Sequence, residues 1–214
     1  MVDRRSSVAA LAPLTGVLFV VLIVVSFLVG GEPPDPDDRV GEIVEYWVDN
    51  DAANMVGAVI ESLAAVSLLF FAASLRRALR RDEEVAGVLS VAALAGGIVA
   101  AAGIGVDASI RFAAADFADD IDPGTIQTLN AMWSDFFFPM VIGMATLILA
   151  TGLSALRTRV IPVWLAWIGF LLVVVLFTPA GFFAFLASSL WILIVSILLW
   201  RRETNPTQIS APLT

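Results

Sequence analysis

The 214-residue sequence contains no cysteine, no histidine and no lysine. Each absence removes a chemistry. Without Cys or His there is no thiolate nucleophile, no disulfide relay, no Cys/His zinc site and no bis-His haem. Without Lys no Schiff base can form, which excludes a retinal protein. Seven serines, Ser62, Ser67, Ser74, Ser90, Ser188, Ser189 and Ser196, lie in apolar stretches, but no histidine is there to activate them. Basic charge is scarce, and no loop is long and basic enough to grip nucleic acid. The sequence calls for no cofactor and no metal, and offers no catalytic constellation.

What is there is apolar. Hydrophobic residues make up 59% of the chain, and the mean hydropathy is +0.93. A soluble domain is about half apolar. Here the excess is gathered into long blocks, the pattern of membrane spans rather than of a larger core. The reading is an all-α, polytopic transmembrane helix bundle with six spans, at about 8–29, 52–75, 85–106, 131–156, 161–177 and 182–200. Together they form one membrane domain over 8–202. A cytoplasmic tail, 1–7, precedes it, and a polar tail, 203–214, expected to be disordered, comes after it. The first span reads as retained rather than cleaved. Its apolar run is longer than a signal peptide needs and ends in LVGGEPP without an A-x-A site.

Two long acidic loops separate the early spans. In the first, 30–51, GGEPPDPDD cannot be helix interior. The next stretch, GEIVEYWVDND, places Val40, Ile43, Val44, Trp47 and Val48 on one face and Glu42, Glu45 and Asp49 on the other. That pattern predicts a short helix on the membrane surface, with Trp47 at headgroup level. The second loop, 112–129, carries the turn Asp122-Pro123-Gly124, with Thr125 as the expected N-cap of the next helix. Pro139 is expected to bend the fourth span.

Span 2 ends in Arg76, Arg77, Arg80 and Arg81. With six spans both termini share a side, and ten of the arginines fall there. Only Arg39 and Arg111 fall opposite. Basic residues in short loops stay in the cytoplasm, so both termini are expected to be cytoplasmic in a plasma-membrane protein. Fourteen of the twenty acidic residues lie on the other side, five lie with the arginines, and Glu61 lies within span 2. Trp164, Trp167 and Trp200 near one boundary and Trp47 and Trp133 near the other suit an aromatic belt. Span 3 carries Ala92, Gly96, Ala100 and Gly103 on one face, with Asp107 and Arg111 further along that face. Small residues let a neighbouring helix approach closely, so span 3 is expected to be the central helix, with Asp107 and Arg111 paired at i,i+4.

Glu61 is the one deep carboxylate, roughly 10–14 Å below the end of its span at 1.5 Å per residue. A lone carboxylate there is costly to ionise. It reads either as a proton or cation site or as a group paired with Arg111 that holds helices together. Around it, Asn54, Asp107, Arg111, Asn130, Trp133, Ser134 and Asp135 are the candidate walls of a shallow polar cavity. The bland alternative is the ordinary polarity of helix ends at an interface. An aspartyl intramembrane protease needs two aspartates sharing a proton. Gly103-Ile-Gly-Val-Asp107 is similar to the G-x-G-D motif of presenilin-type peptidases, but is one residue too long. The acidic loops, with Asp35, Asp37, Asp38, Asp116, Asp119, Asp120 and Asp122, lack EF-hand spacing and read as solvated surface.

The Pro-rich acidic loop after span 1, the RRALRR close of span 2 and the segment from Arg159 to Gly169, with its Pro-x-Trp-Leu-Ala-Trp-x-Gly core, together resemble small six-helix bacterial integral membrane proteins of unknown function. The resemblance implies fold and location only. The favoured reading is a non-enzymatic bundle that binds a lipid, a small apolar ligand or a membrane partner, including a second copy of itself. The alternative is a small proton-coupled carrier using Glu61.

Overall fold

In lipid an apolar run can satisfy its own backbone only by coiling into a helix, and the long apolar blocks do so. The computed structural model describes residues 11–31, 33–81, 87–135 and 137–204, the Arg81 side chain excepted. The expected tail 1–7 with Arg4 and Arg5, residues 8–10 of span 1, residues 85–86 of span 3, residue 136 of span 4 and residues 205–214 of the C-terminal tail lie outside them.

Every regular element among the described residues is helical. A 3-10 turn, Ala12–Leu14, leads into α1, Thr15–Leu28. Then come α2, Val40–Asp49; α3, Asp51–Arg81; α4, Val88–Asp116; α5, Pro123–Asp135; α6, Phe138–Thr158; α7, Val163–Leu176; and α8, Gly181–Thr204. Four segments are long and apolar enough to cross a membrane: α3, α4, α5 with α6, and α8. Of the six expected spans, the first and fifth are apolar but short. The 14 residues of α7 rise about 21 Å, less than the ~30 Å hydrocarbon core.

Several boundaries differ from expectation. Helix α3 runs straight through the arginine cluster to Arg81. Helix α4 continues ten residues beyond 106, to Asp116, so part of the expected second loop is helix. The expected bend of span 4 takes the form of a break: α5 ends at Asp135 and α6 begins at Phe138, with Pro139 in its first turn, where its missing N–H has no intrahelical role. The cap of α5 is Asp122, not Thr125, since the Asp122 carboxylate accepts from both the Thr125 N–H, at 3.1 Å, and its hydroxyl. The last helix includes Glu203 and Thr204, whose polarity places them in the tail when read from sequence.

Neighbours along the chain pack on one another: α1 on α3, α3 on α4, α4 on α6, α6 on α7, α7 on α8, and α8 returns to α1. The α4–α6 seam is backbone on backbone. A Cβ at Gly96 would meet the Gly143 carbonyl at 2.7 Å, and one at Gly103 would meet Met140 Cα at 2.8 Å. The small-residue stripe therefore does bring a neighbour close. It seats α4 between α3 and α6, the two most extensive packings in the bundle. Helix α3 contributes Ala64, Leu68, Phe71, Ala72, Leu75 and Leu79, all facing inward, to the shared core.

The helix ends form two unlike surfaces. At one, Arg77 pairs with Glu203 at 2.8 Å, and Arg202 donates to the Arg159 carbonyl at 2.8 Å, tying the ends of α3, α6 and α8 together. We call this the arginine end. At the acidic end, α2 and α5 build a second small core over the top of α4, from Ile43, Trp47, Ala114, Ala115, Ala118 and Ile126. Helix α2 is therefore amphipathic toward protein rather than toward lipid. Trp47, expected among headgroups, is fully buried and donates its Nε1–H to Asn130 Oδ1 at 3.1 Å.

Candidate functional site

Beneath this acidic-end core sits a buried arginine. Arg111 projects from α4 toward α3 and α1 and is only 3% exposed. Helical spacing on α3 prepares its berth: Asn54, Gly57 and Glu61 succeed one another at three and four residues on one face. Gly57 is the vacancy that admits the guanidinium, since a Cβ there would stand 2.5 Å from Arg111 Cζ. Gly30 closes from the other side in a left-handed conformation, φ 101°, open to glycine, and a Cβ there would meet Arg111 Nη2 at 2.9 Å.

The guanidinium donors are directed at the protein's own acceptors. Nε donates to Asn54 Oδ1 at 3.0 Å. Nη1 donates to the Ser26 carbonyl at 3.2 Å and to Ser26 Oγ at 3.1 Å, and Nη2 donates to the Val29 carbonyl. Four of the five N–H groups of an arginine are thus accounted for. The ring of Trp133 lies 5.5 Å from Cζ, within cation–π range. The Asn54 amide donates in turn to the Asn50 carbonyl at 3.1 Å, and Tyr46 donates to the Gly30 carbonyl at 3.1 Å. One side chain thereby fastens α1, α3, α4 and the start of the first loop.

Glu61 is 7% exposed and faces this cation from below, with Oε2 3.9 Å from Arg111 Nη1. That is an ion pair without a hydrogen bond. On its other side the nearest charge-bearing neighbour is the carboxyl of Asp107, which itself lies near Trp133. The expected i,i+4 pair within α4 is therefore replaced: among the described residues the ion pair of Arg111 is made across helices to Glu61, while Asp107 lies near the guanidinium without forming an ion pair with it. The physical reason is reach, since the glycine at 57 lets the guanidinium cross to α3, where more acceptors await.

Of the eight residues singled out in sequence, Asn54, Glu61, Asp107, Arg111 and Trp133 come together. Asn130 does not join them; it is buried in the acidic-end core, bonded to Trp47 and to the Pro34 carbonyl at 3.2 Å. Ser134 and Asp135 point away from the cluster: Asp135 is exposed, and the Ser134 hydroxyl turns back to the Asn130 carbonyl at 2.9 Å. Sequence reasoning put Gly57 on the Asn54–Glu61 face without giving it a role, and it missed Ser26, Gly30 and the Val29 carbonyl. Among the described residues no three carboxylates gather as a metal site. No protein family matches the chain, and no curated protein or solved structure matches it.

Proposed function

We propose that this is a six-span, multi-pass protein of the plasma membrane, with both termini cytoplasmic, that works without catalysis by binding a lipid, a small apolar ligand or a membrane partner. The ten-to-two arginine split supports the orientation. The observation that carries the binding reading is the occupancy of Arg111. Its donors are taken up by Asn54, Ser26 and Val29, so the most reactive-looking cluster is built to hold helices rather than to engage a substrate. Function then falls to the outer surfaces of the bundle. Purification from native membranes beside an unrelated membrane protein tests this. Specific enrichment of one lipid class or one protein is the expected result, and no enrichment over the control sinks the reading.

A second reading, a proton-coupled carrier, has one observation in its favour. Glu61 and Asp107 lie near one another, two neighbouring carboxyls in an apolar setting are suited to sharing a proton, and Asp107 is only partly buried. Under this reading Glu61→Gln abolishes pH-dependent flux in proteoliposomes. Unchanged flux and pH response remove it.

A further inference from the structure

The arginine end holds a hollow of 360 Å³ lined by Ala73, Arg76, Arg77 and Arg80 of α3. These residues recur at three, one and three, so they share one helix face. Arg77 is anchored by Glu203 and closes one wall. Arg76 and Arg80 make no ion pair among the described residues, and Arg76 Nε is buried without a hydrogen-bond partner. A positive-inside arginine needs only to reach water. A buried guanidinium nitrogen with nothing to donate to is a different matter, because it loses solvation without compensation.

The same face continues into the apolar part of α3 as Val66, Leu69 and Phe70, all outward-facing and exposed, Phe70 by 62%. Ala73 sits between the two regions as the one small residue, leaving an opening where cationic and apolar surfaces meet. Cations at one end and a greasy strip leading away match an amphiphile with an anionic head and a hydrocarbon tail. Guanidinium forks pair with phosphate oxygens in particular.

We propose that Arg76 and Arg80 hold the phosphate of an anionic phospholipid, beside the wall formed by the Glu203-bound Arg77, with an acyl chain along Val66, Leu69 and Phe70. This rests on the binding reading above and names its ligand class.

The test uses the full-length protein in detergent micelles, titrated with phosphatidylglycerol, phosphatidylcholine or inorganic phosphate, with bound adducts counted by native mass spectrometry. Phosphatidylglycerol is expected to saturate one site at least ~10-fold tighter than phosphatidylcholine, and Arg76→Gln/Arg80→Gln to weaken it by about 10-fold or more. Ala73→Trp, which fills the hollow but keeps every charge, is expected to weaken it as well. Arg157→Gln/Arg201→Gln, with the same loss of charge elsewhere at the arginine end, is expected to bind as the unaltered chain does. Melting curves in phosphatidylcholine establish that each variant is folded, and Ala73→Trp carries the test if the double variant is not.

Equal affinity for the two lipids overturns the proposal; so does an equal loss in the Arg157/Arg201 variant. Inorganic phosphate binding as tightly as phosphatidylglycerol would assign the cradle to a soluble anion and overturn the lipid claim. Phosphatidylglycerol binding that survives both cradle variants sinks the cradle alone. Only the absence of any enriched lipid or partner sinks the broader reading.

Discussion

At the scale of single residues, Arg111 sets the terms. A guanidinium taken this far from water is tolerable only because Asn54, Ser26 and Val29 supply acceptors in three directions and Glu61 and Asp107 supply countercharge. Removing the cation while leaving the carboxyls is therefore costly: Arg111→Met is expected to lose about 3–5 kcal/mol of stability, read from unfolding in mixed micelles. Arg111→Met/Glu61→Leu should recover part of that loss. No recovery would mean that the two groups are not coupled. Two glycines give a cleaner contrast. Gly57→Ala drives a methyl into the guanidinium and is expected to cost about 1–3 kcal/mol. Gly105→Ala, on the same α4 that bears Arg111, meets nothing within 4 Å and should be neutral or slightly stabilising. Equal melting temperatures for both variants would remove the berth from the account.

At the scale of elements, much of the design was legible and some was not, for identifiable reasons. Ala92, Gly96, Ala100 and Gly103 announced a close-packed face because small side chains at helical spacing have few other uses in a membrane. The face of α2 was legible as a face, but not its partner. Ile43 and Trp47 look the same in sequence whether they rest on lipid or on Ile126 of α5. Backbone acceptors such as the Val29 carbonyl leave no trace in side-chain identity, so the Arg111 berth could be only half foreseen. Helix α5 emerged where an acidic loop was expected because Asp122 caps it. Donation from the Thr125 hydroxyl and N–H holds the Asp122 carboxyl below its ordinary range. A carboxyl lowered on folding contributes stability that is whole above its unfolded pKa of about 3.9 and fades as pH falls through the folded value. The start of α5 should accordingly loosen below about pH 4, seen as a change in Trp133 emission, and Asp122→Ala should remove that transition. An unchanged acid transition in the variant would place its origin elsewhere.

At the scale of the whole molecule, the helices carry a polarity that outlasts any single contact. Arg77, Arg159 and Arg202 meet at one end through Glu203 and a shared carbonyl, while α2, α5 and their aspartates roof the other. The proposed lipid cradle needs the first end beside an anionic leaflet, and the proposed proton pair needs the second end open to the opposite compartment. Both therefore depend on which way the bundle lies. The absence of cysteine makes that measurable, because any introduced thiol is the only one in the chain. Single variants Asp37→Cys, Ser134→Cys, Thr158→Cys and Thr204→Cys, treated in intact cells with a membrane-impermeant maleimide, test the orientation directly. With the arginine end inside, Asp37→Cys and Ser134→Cys label from outside, and Thr158→Cys and Thr204→Cys label only after permeabilisation. External labelling of Thr204→Cys, or protection of Ser134→Cys, would contradict that orientation.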